Sequence, residues 1–127
     1  MKKNYLLLLL ISFVAADPEL YFIEPQDGET YTTEVAVKFG LKDFGVAPAG
    51  YNIPNTGHHH LIINAEVPDL TLPIPANENY LHFGLGQTET TLTLEPGTYS
   101  LQLLMGNYLH IPHEKPIFSE VISVTVE

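Results

Sequence analysis

The segment EVAVKFGL, residues 34–41, places an apolar side chain at nearly every second position. Val35, Val37 and Phe39 alternate there with residues that are charged or small. Successive side chains of a β-strand point to opposite faces of its sheet, so this spacing is typical of a strand with one buried face. The segment therefore predicts a β-sheet protein.

The same alternation recurs along the rest of the chain, and helical periodicity does not. Further strands are predicted at 20–24, 58–64, 81–83, 88–95, 99–105 and 121–126, with Pro, Gly and Asn between them. The Glu95-Pro96-Gly97 turn predicts that the two strands it joins pair as a hairpin. Six or seven strands in a chain of this size favour an all-β fold, an antiparallel immunoglobulin-like β-sandwich, with a closed barrel as the alternative.

The N-terminal residues 1–16 have the pattern of a secretory signal peptide. Lys2 and Lys3 precede an apolar run, and small residues follow it up to Ala16. The run is too short to span a bilayer comfortably and no second hydrophobic segment follows, so it predicts cleavage near Ala16 and no stable membrane anchor. We expect a periplasmic or secreted protein whose mature part, residues 17–127, is one domain.

The charge balance excludes several classes of partner. Loss of the two signal lysines changes the formal net charge from −10 to −12, and the chain contains no arginine. Only Lys38, Lys42 and Lys115 remain as cations, so nucleic acid, phosphate groups and anionic membranes are poor candidates for binding. Because the chain also lacks cysteine, it uses neither disulfides nor thiolate ligands.

Six histidines are the most informative chemical feature, and they stand at positions 58, 59, 60, 82, 110 and 113. Residues 43–57 and 67–80 form connections longer than a turn needs, which is where small scaffolds tend to carry function. Each connection of an antiparallel sandwich reverses the chain direction. Counting connections from residues 34–41 therefore predicts that four of the histidines lie at one end of the fold, namely His58, His82, His110 and His113.

These histidines could bind a metal ion. Strand pleating puts His58 and His60 on one face and His59 on the other, and a separation of about 6.6–7 Å lets two such imidazoles converge on one ion. All-nitrogen sites suit Zn²⁺, Cu²⁺ or Ni²⁺, whereas a soft Cu(I) site is disfavoured without cysteine. We interpret Met105 as a core residue. The predicted ligands are His58, His60, His82, His110 and His113.

Other interpretations of the polar residues stay open. His59 is expected to be a partly buried, hydrogen-bonded residue, and the three consecutive histidines could instead order the long loop through backbone carbonyls. Glu89 and Glu114 are either carboxylate ligands or solvated surface residues. The segment HFGLGQTE, residues 82–89, has no phosphate-binding lysine, so neither a nucleotide nor another organic cofactor is predicted. No serine has a nucleophile-elbow context, and we do not expect an enzyme.

Longer strings resemble a known family. YFIEPQDGE, VKFGLKDFGVAPAG, NTGHHHLIIN, PIPANENYLHFGLGQTETTLTLEPGTYSLQLLMG and HIPHEKPIFSE are similar to the bacterial family called domain of unknown function 4399. The resemblance implies a small exported protein and gives weight to all six histidines together with Gly57, Gly84, Gly86 and Gln87. It also implies further histidines at two positions where this sequence has Tyr80 and Tyr108. These two departures reduce the ligand set.

Two functions from different classes follow from these patterns. The first is a periplasmic binding protein that holds a divalent transition metal, Cu²⁺ or Zn²⁺, for storage, delivery or sensing. The second is a non-enzymatic interaction module, in which the same loops dock an envelope protein or a cell-envelope glycan. The contact would then be made by aromatic residues near the loops, which are Tyr51, Tyr80, Phe83 and Tyr108.

Overall fold

The computed structural model describes residues 1–11 and 16–127, and it is an all-β protein. The predicted signal peptide, residues 1–16, includes residues 12–15, which lie outside the described residues. No helix in the described part of the chain is long and apolar enough to cross a membrane. The strands of the described chain are β1 (Glu19–Glu24), β2 (Thr30–Tyr31), β3 (Glu34–Lys42), β4 (Gly45–Val46), β5 (Thr56–Ile63), β6 (Tyr80–His82), β7 (Glu89–Thr93), β8 (Gly97–Gly106) and β9 (Ile122–Val126).

The strands form the two sheets of a β-sandwich, which confirms the predicted fold class. The first sheet has the order β1-β3-β7, and the second has the order β2-β9-β8-β5-β4, with β6 also paired to β5. Strands β2 and β4 have only two residues each, so the seven longer strands match the predicted count. These two short strands pair in parallel, with β9 and β5 respectively, whereas the other pairs are antiparallel.

Strand β3 has the predicted alternation. Val35, Val37 and Phe39 are buried at 0%, 0% and 4% exposure, while Glu34 and Lys38 are exposed. Each such side chain contributes about 1.5–3 kcal/mol when it leaves water. Their partners across the core come from the second sheet, chiefly from β5 and β8, so the sandwich closes around one main cluster of apolar side chains.

The predicted hairpin at Glu95-Pro96-Gly97 is wrong. Strand β7 pairs with β3 in the first sheet, whereas β8 lies between β9 and β5 in the second. The connection therefore passes from one sheet to the other. Leu92 of β7 and Leu103 of β8 belong to the same core cluster. The two strands therefore face each other across the core and do not pair as neighbours in one sheet. Turn residues alone do not distinguish these arrangements.

Strand β5 is buried on both of its faces from Gly57 to Ile63. Its inner face contributes Leu61 and Ile63 to the main core. On its outer face Ile62 packs with Ile74 and Leu104 in a second, smaller cluster, which the connection after β5 covers. A side chain on the outer face of this sheet is therefore shielded from water, which sets the environment of the histidines.

Candidate metal centre

Four imidazole rings lie together on the outer side of the second sheet. Their ring centroids are between 4.6 and 6.3 Å apart for all six pairs. Two rings come from β5, one from β6 and one from the loop after β8. We call His58, His60, His82 and His110 the four-histidine cluster. It unites residues up to 52 positions apart in the chain.

The nitrogen atoms of the cluster have spacings that suit one metal ion. One ring nitrogen from each of His58, His82 and His110 lies within 4.8 Å of the others. Nε2 of His60 lies 3.0 Å from Nε2 of His58. Two nitrogens bound tetrahedrally at about 2.0–2.1 Å from one ion would be about 3.3 Å apart. The His58 and His60 nitrogens share a hydrogen bond, at a separation slightly shorter than that between two ligands.

Strand register brings three of the rings together. His60 lies opposite His82 in the β5–β6 pair, and pleating sets His58 on the same face as His60. Two glycines leave room for the rings. A Cβ atom at Gly106 would lie 2.8 Å from Nε2 of His60, and one at Gly84 would collide with the His82 imidazole. The cluster therefore depends on the absence of side chains at these two positions.

The fourth ring depends on a tight loop that Asn107 organises. Its side-chain Oδ1 accepts hydrogen bonds from the backbone N–H groups of Leu109, at 2.8 Å, and Ile111, at 3.1 Å. The Asn107 backbone also accepts from the His110 N–H and donates to the Ile111 carbonyl. Within this loop His110 has a φ of 64°, in the left-handed region that non-glycine residues rarely adopt. Such strain often occurs where a side chain must be aimed.

The cluster has a buried base and an open rim. His58 and His60 are each 1% exposed, whereas His110 is half-buried and His82 is exposed. Burial, followed by the charges of His82 and His110, lowers the pKa of His58 to about 4. Burial, followed by the charges of His58 and His82, lowers the pKa of His60 to about 3. The pKa of His82 is also lowered, by burial and then by His110. His58 and His60 are therefore mainly neutral at pH 7, with available lone pairs.

His113, which we predicted to be a ligand, is directed elsewhere. Its Nε2 donates to the backbone carbonyl of Thr56 over 2.9 Å, and its ring packs edge-on against Phe44 at 5.0 Å. A Cβ atom at Gly57 would lie 2.7 Å from the His113 ring, so these two residues are closely packed. We leave His113 out of the proposed ligand set, because these contacts give its ring a structural role.

His59 lies on the inner face of β5, as pleating predicts. It is 0% exposed and its ring packs against Phe39 with centroids 4.8 Å apart. The predicted hydrogen bond is not found: neither ring nitrogen has a partner within the described chain. Burial lowers the pKa of His59 to about 4, so this ring is neutral inside the core.

The carboxylates considered as ligands lie outside the cluster. Glu89 opens β7 in the first sheet, opposite Lys38, and Glu114 is exposed beside His113. The sequence patterns did not indicate Asn107 and Gly106, which help to position the rings of the four-histidine cluster. Asn107 had a signal, since Asn before a short polar loop commonly bonds its own backbone two residues on. The role of Gly106 depends on strand register, which was not assigned.

Comparisons with known proteins agree with the fold. A family model described as Domain of unknown function (DUF4399) matches residues 37–127. A comparison with curated proteins finds no match. Among solved structures, the endo-beta-1,4-mannanase from Thermotoga petrophila is similar, with 17% sequence identity and a TM-score of 0.51. The match covers 88% of this chain and 20% of that one, so the chain spans about a fifth of the enzyme's length. At this identity the likeness concerns the fold alone.

Proposed function

Because the chain belongs to the family Domain of unknown function (DUF4399), whose description names no activity, we propose a function from the four-histidine cluster itself. We propose an exported protein that binds one divalent transition-metal ion, Cu²⁺ or Zn²⁺, for storage, delivery or sensing rather than for turnover. The observation that supports this proposal is the convergence of four imidazole rings, with one nitrogen from each of His58, His82 and His110 within 4.8 Å of the others.

The donor atoms decide the class of metal. Imidazole nitrogen is a borderline ligand that suits Zn²⁺, Cu²⁺ and Ni²⁺, whereas Cu(I) prefers thiolate or thioether sulfur. The chain has no cysteine, and Met105 is 0% exposed within the main core. A soft-metal site is therefore disfavoured. A ligand set of His58, His60, His82 and His110 favours a divalent ion in a nitrogen environment.

Protonation supports the same assignment. A metal ion competes with protons for imidazole nitrogen, so a ligand whose pKa is low loses less affinity to protons. The pKa values of His58 and His60 are lowered to about 4 and about 3. The buried base of the cluster is thus ready to bind at neutral pH. Protons therefore compete weakly with a metal ion for these two buried ligands at neutral pH.

Export is part of the proposal and rests on the sequence. Lys2 and Lys3 followed by an apolar run have the pattern of a signal peptide, and the lack of cysteine leaves no thiol to oxidise outside the cytoplasm. A periplasmic or secreted protein meets Cu²⁺ and Zn²⁺ directly. An imidazole-only site suits those conditions, because it does not depend on a reducing environment.

Metal analysis of untagged protein purified from the periplasm tests the proposal. A nickel-affinity tag is avoided, because it would supply competing histidines. We expect about one Cu²⁺ or Zn²⁺ per chain, and titration calorimetry with both ions should give one tight site. The variant His58→Ala/His60→Ala should lose that site. Equal binding by the wild type and the double variant, or no binding by either, would contradict the proposal.

A further inference from the structure

Three segments of the sequence carry no formal charge. Residues 44–65, 79–88 and 96–113 contain no Asp, Glu, Lys or Arg, and together they supply all four members of the four-histidine cluster. Residues 17–127 nevertheless hold 15 acidic residues and three lysines, which all lie in the rest of the sequence. The chain therefore combines neutral segments with a strongly acidic remainder, from which Glu114 lines the same cavity as Tyr51 and Ile53.

Five of the nine large apolar side chains that are exposed within residues 16–127 lie in these neutral segments. Leu85, three residues after His82, is 81% exposed, and Leu109, directly before His110, is 53% exposed. Tyr51, Ile53 and Val46 are 62%, 50% and 37% exposed in the connection before β5. We call these five residues the apolar rim. Large apolar side chains left in water beside a binding site are typical of an interaction surface.

Backbone hydrogen bonds join the loops of the apolar rim into one surface. The Ala49 N–H donates to the Gly84 carbonyl over 2.8 Å, which ties the connection before β5 to the loop of Leu85. The Gly50 N–H donates to the Tyr108 carbonyl over 3.0 Å, which ties the same connection to the loop of Leu109. The three loops are therefore neighbours, and two of them also carry His82 and His110.

We propose that the apolar rim docks a metal-accepting protein whose contact face is apolar and whose flanks are basic. This inference rests on the proposed metal-binding function. The apolar rim favours a partner with an apolar contact face. The acidic charge of the rest of the chain favours basic flanks on that partner by charge complementarity. A second copy of this chain is disfavoured, because two bodies of formal charge −12 repel each other.

Docking at this rim would give the partner access to the exposed ligand. His82 is exposed, whereas His58 and His60 are buried at 1% each. A side chain of the partner can replace His82 by forming one bond to the ion as the His82 nitrogen leaves. The ion keeps its charge in this exchange, so no oxidant or reductant is needed.

Site-specific photocrosslinking in the native envelope tests the surface. A photoreactive residue is placed at Leu85 of the full chain, and a matched control carries it at Val121, which is 57% exposed and outside the neutral segments. We expect one envelope protein to be crosslinked at Leu85, at least tenfold more than at Val121. Adding Leu109→Glu should abolish the product. Equal products at both positions, no product, or only a crosslinked dimer or lipid at Leu85 would overturn the proposal.

Metal exchange between the purified proteins tests the function of the contact. The crosslinked protein is purified and mixed with the Zn²⁺-loaded or Cu²⁺-loaded wild type. Leu85→Gln/Tyr51→Gln should slow transfer at least tenfold while its metal affinity stays within twofold of the wild type, and Val121→Gln should change neither. An unchanged transfer rate overturns the docking proposal alone. Failure of the wild type to bind either ion overturns the proposed function as well.

Discussion

The two faces of β5 carry the same residue type in opposite chemical settings. On the inner face His59 is enclosed by the apolar core beside Phe39. On the outer face His58 and His60 share an Nε2 to Nε2 contact and meet two further imidazoles. The three residues are consecutive, so strand pleating alone separates a set of proposed ligands from an isolated core residue. A histidine motif is therefore informative only once its faces are assigned.

The two faces of β5 also differ in how their histidines affect the free energy of folding. A buried polar group without a partner costs about 1–3 kcal/mol, and both nitrogens of His59 lack one among residues 16–127. On the outer face one buried nitrogen, Nδ1 of His60, also lacks a partner among these residues, but there a bound ion would stabilise the fold by mass action. The inner histidine should therefore limit stability, and the outer histidines should confer function.

Substitutions on the two faces of β5 should give the largest difference in metal affinity. His58→Ala/His60→Ala removes two of four ligands, so affinity for Zn²⁺ should fall about 1,000-fold or more. His59→Leu leaves the outer face unchanged, and its affinity should stay within about threefold of the wild type. Competition titration with a chromogenic chelator measures both. If His59→Leu lost as much affinity for Zn²⁺ as the double variant, the proposed difference between the two faces would be contradicted.

The pH dependence of stability should report the inner face. The pKa of His59 is lowered from 6.5 to about 4, so between these values the unfolded chain binds more protons than the folded chain. The free energy of unfolding therefore falls as the pH falls through this range. Between pH 7.5 and 4.5 the metal-free wild type should lose about 2–3 kcal/mol more than His59→Leu, as urea unfolding would measure.

Met105→Leu is the matched control for that experiment. Met105 lies opposite His59 in the β5–β8 pair and is equally buried, but it does not titrate. Its substitution should shift the free energy of unfolding by the same amount at both pH values. Identical pH profiles for the wild type and His59→Leu would show that His59 is not the source of the effect.

Loss of the Asn107 side chain should weaken the cluster without removing a ligand. Asn107→Ala deletes the two hydrogen bonds that close the loop, so His110 is no longer held at its φ of 64°. Metal affinity should fall about tenfold, in the range found when groups that orient a ligand are lost. Asn107→Asp keeps the accepting oxygen and should retain most of the affinity. Asn52→Ala, in the exposed neighbouring loop, is the control.

His113 should show the smallest effect on metal binding. His113→Gln keeps a donor for the Thr56 carbonyl and should leave metal affinity within about twofold of the wild type. The free energy of unfolding should fall by about 1 kcal/mol or less, because one hydrogen bond is altered rather than lost. Calorimetry and thermal unfolding measure the two quantities. A tenfold loss of affinity would place His113 in the ligand set.

The sequence was sufficient for the strands and for the end of the fold that holds the histidines. Alternation in β3 predicted the burial of Val35 and Val37, and pleating predicted that His58 and His60 share a face. Counting chain reversals predicted that His58, His82, His110 and His113 share one end, and the structure brings the first three of them together with His60 but not with His113. These successes depend on the two-residue period of a strand, which is local and regular.

The remaining errors concern partners that are distant in sequence. The same turn residues can close a hairpin or join two sheets, so the connection at Pro96 was assigned wrongly. His110 and His113 are three positions apart in one loop, and no periodicity states which of them faces the cluster. That choice follows from the hydrogen bonds of Asn107 and the carbonyl of Thr56, which only the folded chain supplies.

Anomalous diffraction at the zinc edge, from crystals of untagged protein grown with one equivalent of Zn²⁺, would test the central claim most directly. The account predicts one strong peak bound by nitrogens of His58, His60, His82 and His110 at about 2.0–2.1 Å. It also predicts that His59 remains in the core without a metal contact. A peak at His113 or at surface carboxylates, with none at the four-histidine cluster, would contradict the account.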